Sequence, residues 1–413
     1  MIDSVLIVTD KAFISGGQAK VAIDTARLLA ERGLDVTFFA PVGPADESLA
    51  AAGITVECLG QPDILSDKNR GSAMIRGLWN RDAAKALSRL IGALAPERSV
   101  VHCHGYAKAL SPAIGPVLAA SPVPSLFTMH EYFLACPNGG FFDYPANRIC
   151  ERRPLGAACL TRNCDARRPV HKAWRVVRQA VTWGPGKMPS GLRNISYLSE
   201  VQLAAMRPYL PSGANLYALP NPTKLPADAR LAAGTGSRDF VFVGRLNPEK
   251  GGHVFAEAAR RAKVRAVFIG DGPERARIEA LNPDAVVTGW KRPEEVREMM
   301  LGARALVFPS LWYETFGLVA HEAIASGLPV ICGRRNAAAE AVLPGRNGLV
   351  LDSMDPDKLA EALVALSDDE HPVFREIRKP EHRKVTTEEA YLDRLLDIYR
   401  SISSATPRAA NAT

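Results

Sequence analysis

The sequence predicts an α/β protein with two Rossmann-like, doubly wound domains that face each other across a cleft. Three observations predict this fold class. The chain has 413 residues, which is more than one domain usually holds. Short apolar runs alternate with helical patterns along most of it, which is typical of parallel sheets covered by helices on both faces. The alternation restarts after a stretch rich in proline, glycine and small polar residues (220–239), which we interpret as the linker between two domains.

The first domain is predicted at 1–222 and contains seven strand-like runs. In chain order they are SVLIVTD, DVTFFAP, TVECL, SVVHCHG, PSLFTMH, ISYLS and LYALPN. A glycine loop and a helical pattern that stops at Gly33 follow the first run. From about 132 to 168 the alternation is interrupted, and this cysteine-containing segment indicates an insertion with little regular structure. A basic helical pattern resumes at 168–183.

The second domain is predicted at 223–385 and repeats the alternation. Its six strand-like runs are DFVFVGRL, AVFIGDG, AVVTGW, ALVFPS, PVICG and GLVL. The pattern at 386–402 predicts an amphipathic helix that packs back on the first domain. The tail, 403–413, is small and polar, and we expect it to be disordered.

Composition limits the functional classes. No apolar stretch reaches about 18 residues, the length that predicts a membrane span, and the start MIDSVLIVTD predicts a strand, not a signal peptide. The net charge of +7 favours anionic partners, with a solvated basic surface as the alternative. No nucleic-acid motif accompanies that charge, so no nucleic-acid partner is expected. We expect a cytoplasmic protein. Basic residues with Trp174 and Trp183 at 167–187 leave peripheral contact with the anionic inner face of a membrane open.

Cationic and glycine residues follow two strands of the second domain. Arg245 and Lys250 lie in GRLNPEKGG (244–252), between a strand and a helix. Two cations beside a helix N-terminus suit a diphosphate, by charge and by backbone N–H donation. The alternative is a pair of solvated surface cations. Gly270, in GDGPE after the next strand, is expected to let a ligand approach the backbone.

Two acids lie eight positions apart in YETFGLVAHEAIASG (313–327). Glu314 falls in a predicted loop, and Glu322 lies about one turn into a predicted apolar helix. The N–H groups of Phe316, Gly317 and Leu318 would point out of the positive end of that helix. A carboxylate on such a helix needs a partner, either within the protein or from a ligand.

In this order, the motifs GRL-x3-KG, GDGPE and E-x7-E followed by GLPV resemble the donor domain of retaining glycosyltransferases of family 4, which have the two-Rossmann GT-B architecture. The resemblance covers nearly the whole chain and is strongest at 239–352. It implies that Arg245 and Lys250 neutralise the diphosphate of a nucleotide-sugar donor. It also implies that Glu322 binds the ribose and Glu314 the transferred sugar. Gly289, in TGWK, would lie near the base.

The first domain adds further candidates through the same resemblance. Gly16 and Gly17, in SGGQAK, would approach the donor phosphates, with a simple tight turn as the alternative. His130 ends a strand and would sit beside the donor sugar, and the adjacent Glu131 is a weaker candidate. His104 ends another strand, and a structural role is favoured for it.

Four cysteines cluster in the insertion, at Cys136, Cys150, Cys159 and Cys164. Four thiols in a loop-rich segment are consistent with a structural zinc site. Their irregular spacing leaves free thiols or one disulfide as alternatives.

Together these observations predict a retaining glycosyltransferase that needs no cofactor for catalysis. The expected partners are a UDP- or GDP-sugar donor and a sugar or lipid-linked acceptor. The expected setting is polysaccharide, lipopolysaccharide or glycolipid assembly. The alternatives are a nucleotide-sugar epimerase on the same two-domain plan, and a catalytically silent sugar-nucleotide-binding protein.

Overall fold

A computed structural model of the protein describes residues 2–225 and 230–404. It contains two parallel sheets with helices on both faces, one in each half of the chain, so the predicted fold class is confirmed. Part of the predicted linker, 226–229, and the end of the predicted tail, 405–413, lie outside the described residues.

The first sheet has seven strands in the order β3-β2-β1-β4-β5-β8-β9, all paired in parallel. Each corresponds to one predicted run. Their bounds are β1 Ser4–Val8, β2 Asp35–Ala40, β3 Thr55–Cys58, β4 Ser99–Cys103, β5 Ser125–Thr128, β8 Asn194–Tyr197 and β9 Asn215–Ala218. Consecutive side chains of β1 pack on opposite faces, so the sheet has a core on each side.

The second sheet has six strands in the order β12-β11-β10-β13-β14-β15, also all parallel. Their bounds are β10 Asp239–Val243, β11 Arg265–Ile269, β12 Val286–Val287, β13 Ala305–Phe308, β14 Val330–Gly333 and β15 Gly348–Leu351. This sheet is likewise buried on both faces, which explains why its strands are continuously apolar.

The helices follow the strands in the expected alternation. In the first half they are α1 Gly17–Glu31, α2 Glu47–Ala51, α3 Arg70–Leu78, α4 Arg81–Gly92, α5 Ile114–Ala120, α6 Ala157–Thr161, α7 Pro169–Trp183 and α8 Glu200–Met206. In the second half they are α9 Gly252–Ala262, α10 Arg275–Leu281, α11 Pro293–Leu301, α12 Leu318–Ala325, α13 Pro356–Ala365, α14 Val373–Glu376 and α15 Glu388–Ser404. Within the described ranges, no helix combines the length and the apolar character needed to cross a bilayer.

The insertion is more ordered than its sequence indicates. It contains a short hairpin, β6 Phe142–Asp143 with β7 Arg148–Ile149, and the helix α6. Asp143 is fully buried and accepts hydrogen bonds from Arg152 at 3.0 Å and from Arg162 at 2.8 and 2.9 Å. A buried carboxylate needs such partners, and these bonds fold the segment on itself.

The basic helix α7 is not uniformly solvated. Lys172 and Arg178 are each only 5% exposed, and Arg175 pairs with Asp165 at 3.1 Å. These three cations therefore face protein groups, and Arg167 and Arg168 are the exposed basic residues at the start of the helix.

The last helix, α15, packs on the first sheet although it follows the second domain. Tyr391, Leu395 and Tyr399 belong to the same buried cluster as strand β1. The Tyr399 hydroxyl lies 2.7 Å from Nδ1 of His102 on β4, and both side chains are fully buried.

Replacing Tyr399 with Phe should lower the free energy of unfolding by about 1–3 kcal/mol, because it leaves a buried histidine nitrogen without its partner. Urea denaturation followed by fluorescence would measure the change. Tyr197→Phe is the matched control, since that hydroxyl contacts Glu200 at the surface. Equal losses in the two variants would contradict the prediction.

Candidate active site

The cleft lies where the strand order of each sheet reverses. In the first sheet this point is between β1 and β4, and in the second it is between β10 and β13. Loops that leave neighbouring strands in opposite directions open a crevice at the carboxyl edge, and ligands of doubly wound sheets bind there. The loops after β10 and β13 carry Arg245, Lys250 and Glu314, so the topology explains why these residues converge.

The cleft has a volume of about 320 Å³ and is lined by both domains. Six of the predicted site residues line it together: Gly16, Gly17 and His130 from the first domain, and Arg245, Lys250 and Glu314 from the second. Gly16 and Glu314, 298 positions apart in the sequence, are thus brought to one space.

Glu314 is a buried carboxylate of the cleft, and only 8% of it is exposed. Its Oε2 accepts hydrogen bonds from Lys250 at 2.5 Å, Trp312 at 3.1 Å and Ser310 at 3.3 Å. Among the described residues none donates to Oε1. Oε1 is therefore left to accept from a hydroxyl in the cleft.

Lys250 and Arg245 present the positive charge of the cleft. The Lys250 ammonium pairs with Glu314 and lies 5.2 Å from the centre of the Trp312 ring, which fixes its position. Arg245 is exposed and has no ion-pair partner within the described part of the chain. The arginine therefore carries a charge that a bound anion would compensate.

Two helix N-termini meet at the cleft. Neither α1 nor α12 has a side chain that caps its first turn. A Cβ atom added to Gly17 at the start of α1 would lie 3.2 Å from the Leu318 side chain at the start of α12. Helix N-termini carry unpaired N–H donors and partial positive charge, so two of them close together favour an anion nearby.

The glycine that precedes α12 is required by its backbone. Gly317 has φ +86°, and a Cβ atom there would lie 3.2 Å from Phe308 and 3.3 Å from Ala338. The residue before it, Phe316, is buried and stacks on His321 at 3.9 Å. Together these constraints fix the direction in which the first N–H groups of α12 point.

Glu322 faces helix α1 of the other domain. Burial raises the pKa of its carboxyl group, the nearby Lys20 lowers it and Asp24 raises it. No described residue makes a hydrogen bond to its carboxylate. The side chain is thus a desolvated acid whose protein partners are incomplete, which fits a group that accepts hydrogen bonds from a ligand.

His130 is a buried neutral ring at the cleft wall. Its Nε2 lies 3.0 Å from Nδ1 of His104, and burial, with a smaller effect of Lys108, lowers the pKa of His130 to about 3. At neutral pH it therefore acts as a hydrogen-bonding group without charge. His104 is fully buried behind it and positions its ring, in agreement with the structural role favoured from the sequence.

Family comparisons assign both halves of the chain. Residues 16–175 match the model described as "Glycosyl transferase 4-like domain", and residues 237–369 match "Glycosyl transferases group 1". Both domains are glycosyltransferase-family domains. The predicted retaining mechanism and the E-x7-E motif are finer statements than these matches support.

Curated relatives agree with this assignment. A GDP-mannose-dependent alpha-mannosyltransferase of Corynebacterium glutamicum is 33% identical over 176 residues, which are 42% of this chain and 42% of that protein. The chain thus spans less than half of that relative in the match. A D-inositol 3-phosphate glycosyltransferase of Acidothermus cellulolyticus is 28% identical over 86% of this chain and 78% of that protein.

Solved structures show the same architecture. A glycosyltransferase from Rickettsia africae superposes with a TM-score of 0.68 at 14% identity, covering 98% of this chain and 99% of that one. The Anabaena protein HepE in complex with UDP gives 0.64 at 15% identity, covering 96% and 100%. The fold of this glycosyltransferase-family chain is therefore GT-B.

Two predicted donor-binding glycines of the glycosyltransferase fold lie away from the cleft lining. Gly270 and Gly289 form an isolated bridge to each other at the ends of β11 and β12. A Cβ atom on Gly270 would lie 2.0 Å from the carbonyl oxygen of Gly244, so close backbone packing alone requires glycine there. Their contact with a donor base stays a prediction.

The predicted zinc site is not assembled in the insertion. In the described residues, no group of three or more His, Cys, Asp or Glu side chains is arranged to hold a metal ion. The Lys172 ammonium instead lies 3.4 Å from Sγ of Cys159 and 3.3 Å from Sγ of Cys164. Cys136 contacts Asn138, and Cys150 accepts from Arg152. A cationic side chain thus lies close to two of the four thiols, and zinc binding stays a prediction.

Sequence reasoning missed the residues that hold the site residues in place. The Trp312 indole donates a hydrogen bond to Glu314, two positions later in the sequence. This closeness in sequence was the one pattern from which the contact could have been predicted. Asp10 is buried and accepts from the backbone N–H groups of Lys108, Ala109 and Leu110. These bonds hold the loop after β4 against the end of β1. The bond from Lys108 spans 98 positions of sequence, so no local pattern predicts it.

The stability of the protein should report the burial of Glu322. Its pKa in the folded state is raised above the ordinary value of 4.5. Between these two pKa values the folded state binds more protons than the unfolded state, so stability falls as pH rises. Glu322→Gln removes the cost of burying an ionised carboxylate. The difference in free energy of unfolding between Glu322→Gln and wild type should therefore increase from pH 4 to pH 8.

Urea denaturation at a series of pH values measures this difference. The matched control is Glu361→Gln on α13, an exposed acid. A difference between Glu322→Gln and wild type that does not change with pH would contradict the prediction.

Proposed function

We propose that the protein is a retaining glycosyltransferase that transfers a sugar from a nucleotide-diphosphate sugar to an acceptor hydroxyl, without a catalytic metal. The observation that carries the proposal is the cleft that Arg245, Lys250, Glu314 and the uncapped start of α1 line together, with the uncapped N-terminus of α12 close to the start of α1. Cations and backbone N–H groups on one side suit a diphosphate, and a carboxylate with an unused oxygen suits a sugar hydroxyl.

The chemistry that this arrangement supports is electrostatic. As the bond from the anomeric carbon to the diphosphate oxygen breaks, negative charge grows on the diphosphate and oxocarbenium character grows on the sugar. Arg245, Lys250 and the N-terminus of α12 stabilise the growing negative charge, and Glu314 orients the sugar. The acceptor oxygen forms the new bond on the same face of the sugar, and its proton passes to the departing diphosphate.

The similar proteins support a nucleotide-sugar donor but not one base. The corynebacterial relative is named for GDP-mannose, and the Anabaena structure contains UDP. We infer a UDP- or GDP-sugar, used in the assembly of a polysaccharide, a lipopolysaccharide or a glycolipid.

Donor binding can be tested by thermal shift with UDP, GDP, UDP-glucose and GDP-mannose. A ligand that binds only the folded state at 100 times its Kd adds about 2.7 kcal/mol of stability, so one of the two base series should raise Tm by several degrees. Lys250→Met should lose most of this shift. Lys358→Met, an exposed lysine on α13, should keep it. No shift with any of the four ligands would contradict the proposal.

Turnover tests the role of Glu314. Glu314→Gln keeps the size of the side chain but removes its charge, which should displace Lys250 and weaken the contact with the sugar. We expect release of the nucleoside diphosphate to slow by about 10²-fold or more, the magnitude typical for a lost electrostatic contact in an active site. A coupled assay with the donor selected by thermal shift measures this rate. Glu361→Gln is the control, and unchanged turnover in Glu314→Gln would remove Glu314 from the site.

A further inference from the structure

A second cavity of about 380 Å³ opens beside the cleft, entirely on the side of the first domain apart from one residue. It lies between helices α3 and α7 and the loop after β1. Lys11, Ser15, Lys108 and Arg245 line both this cavity and the cleft. The second cavity, which we call the side pocket, is therefore directly adjacent to the cleft.

One wall of the side pocket is apolar. Phe133 and Trp174 form its inner part, and the Trp174 indole donates to the carbonyl oxygen of Met74 at 3.3 Å, which fixes the ring between α7 and α3. At the mouth, Leu65 is 62%, Met74 43% and Val170 61% exposed. Apolar side chains exposed together around a cavity are unusual on a monomer surface and mark a place where apolar groups bind.

The rest of the lining is rich in cations. Three of the seven Lys and Arg side chains pair with carboxylates, Lys11 with Asp63, Lys108 with Glu131 and Arg175 with Asp165. Of the described lining residues, Asp63 is the sole acid, and it already pairs with Lys11 at 2.7 Å. Burial opposes its ionisation, but the hydrogen bond from Lys11 and those from two backbone N–H groups lower the pKa of Asp63 to about 2. Arg167, by contrast, is exposed and has no ion-pair partner among the described residues.

Arg178 is a buried cation without a carboxylate partner in the described chain. It is 5% exposed and donates to the carbonyl oxygens of Ala107 at 3.0 Å and Pro137 at 3.4 Å. Its guanidinium lies 4.5 Å from the Phe133 ring and 5.1 Å from the Trp174 ring. Burial lowers its pKa to about 10, so it remains charged at neutral pH. The apolar wall and the positive charge thus meet at one point.

We propose that the side pocket binds the acceptor, and that the acceptor is an amphiphile whose phosphate group lies beside an apolar chain. This inference rests on the proposed transfer reaction and names its second substrate. The apolar chain packs against Trp174, Met74 and Val170, and the phosphate faces Arg167 and Arg178. The hydroxyl that receives the sugar extends past Lys108 and Arg245 into the cleft.

The test uses the full-length protein and dodecyl phosphate below its micellar concentration, with binding measured by isothermal titration calorimetry. Inorganic phosphate and dodecyl maltoside, a neutral amphiphile with the same chain, are the comparison ligands. We expect dodecyl phosphate to bind at least tenfold more tightly than either. If inorganic phosphate binds as tightly as dodecyl phosphate, the apolar wall contributes nothing to binding. If dodecyl maltoside binds as tightly as dodecyl phosphate, the cations contribute nothing. Either result overturns the proposal.

Matched variants locate the binding. Val170→Asp and Arg167→Gln should each weaken dodecyl phosphate binding about tenfold. Val177→Asp and Arg168→Gln, exposed neighbours on or beside the same helix that do not line the pocket, should change it less than twofold. Equal effects in the paired variants would place the ligand elsewhere and overturn the proposal.

Binding of UDP or GDP, whichever stabilises the protein, distinguishes failure of this proposal from failure of the proposed function. The nucleotide should bind all four variants as it binds wild type, and its binding should be independent of dodecyl phosphate. If the nucleotide displaces dodecyl phosphate, the phosphate occupies the donor site and the acceptor proposal is wrong, while the transfer function stands. If no nucleotide binds while dodecyl phosphate binds as expected, the donor assignment fails and the side pocket remains an anionic-amphiphile site.

Discussion

The close approach of two uncapped helix N-termini is the constraint on which the cleft depends. Partial positive charges at the starts of α1 and α12 repel each other, and neither helix supplies a side chain to offset this. Other contacts hold the domains in position. Ser199 donates to the carbonyl oxygen of Thr315 at 2.9 Å, and Glu340 accepts from the N–H groups of Glu200 and Val201 at 3.1 and 2.7 Å. A carboxylate of the second domain thus caps a helix of the first, and the uncapped pair is left for a ligand.

The insertion adds a second bridge between the domains. Asn147, in the hairpin turn, lies 2.9 Å from Nε2 of His253 at the start of α9. At its base, Tyr132 packs edge-on against Trp312, the residue that donates to Glu314. Because Phe133, next in sequence, lines the side pocket, one segment lines that pocket and packs against a residue of the cleft. The cysteine-containing insertion therefore positions groups of the site through packing.

The fold and the site could be predicted from the sequence for different physical reasons. Parallel strands buried on both faces are continuously apolar, so the runs predicted all thirteen strands of the two main sheets. Arg245, Lys250 and Glu314 follow strands at the switch points, so their convergence was also predictable. The partners that fix them come from other elements. Asp10, with its three backbone donors near 108–110, illustrates contacts that carry no local sequence pattern.

The buried histidines explain why the arginine and lysine must supply the charge. The His102 and His104 rings lie 4.0 Å apart, and His104 in turn contacts His130. Burial lowers the pKa of His102 to about 3, as it does for His130, so at neutral pH no proton in this group adds positive charge to the cleft. The hydroxyl of Tyr399 holds the far end of the group through His102, which links the last helix to the cleft wall. Because the histidine ring in the cleft wall is neutral, the positive charge of the cleft comes from its arginine and lysine side chains and from the N-terminus of α1.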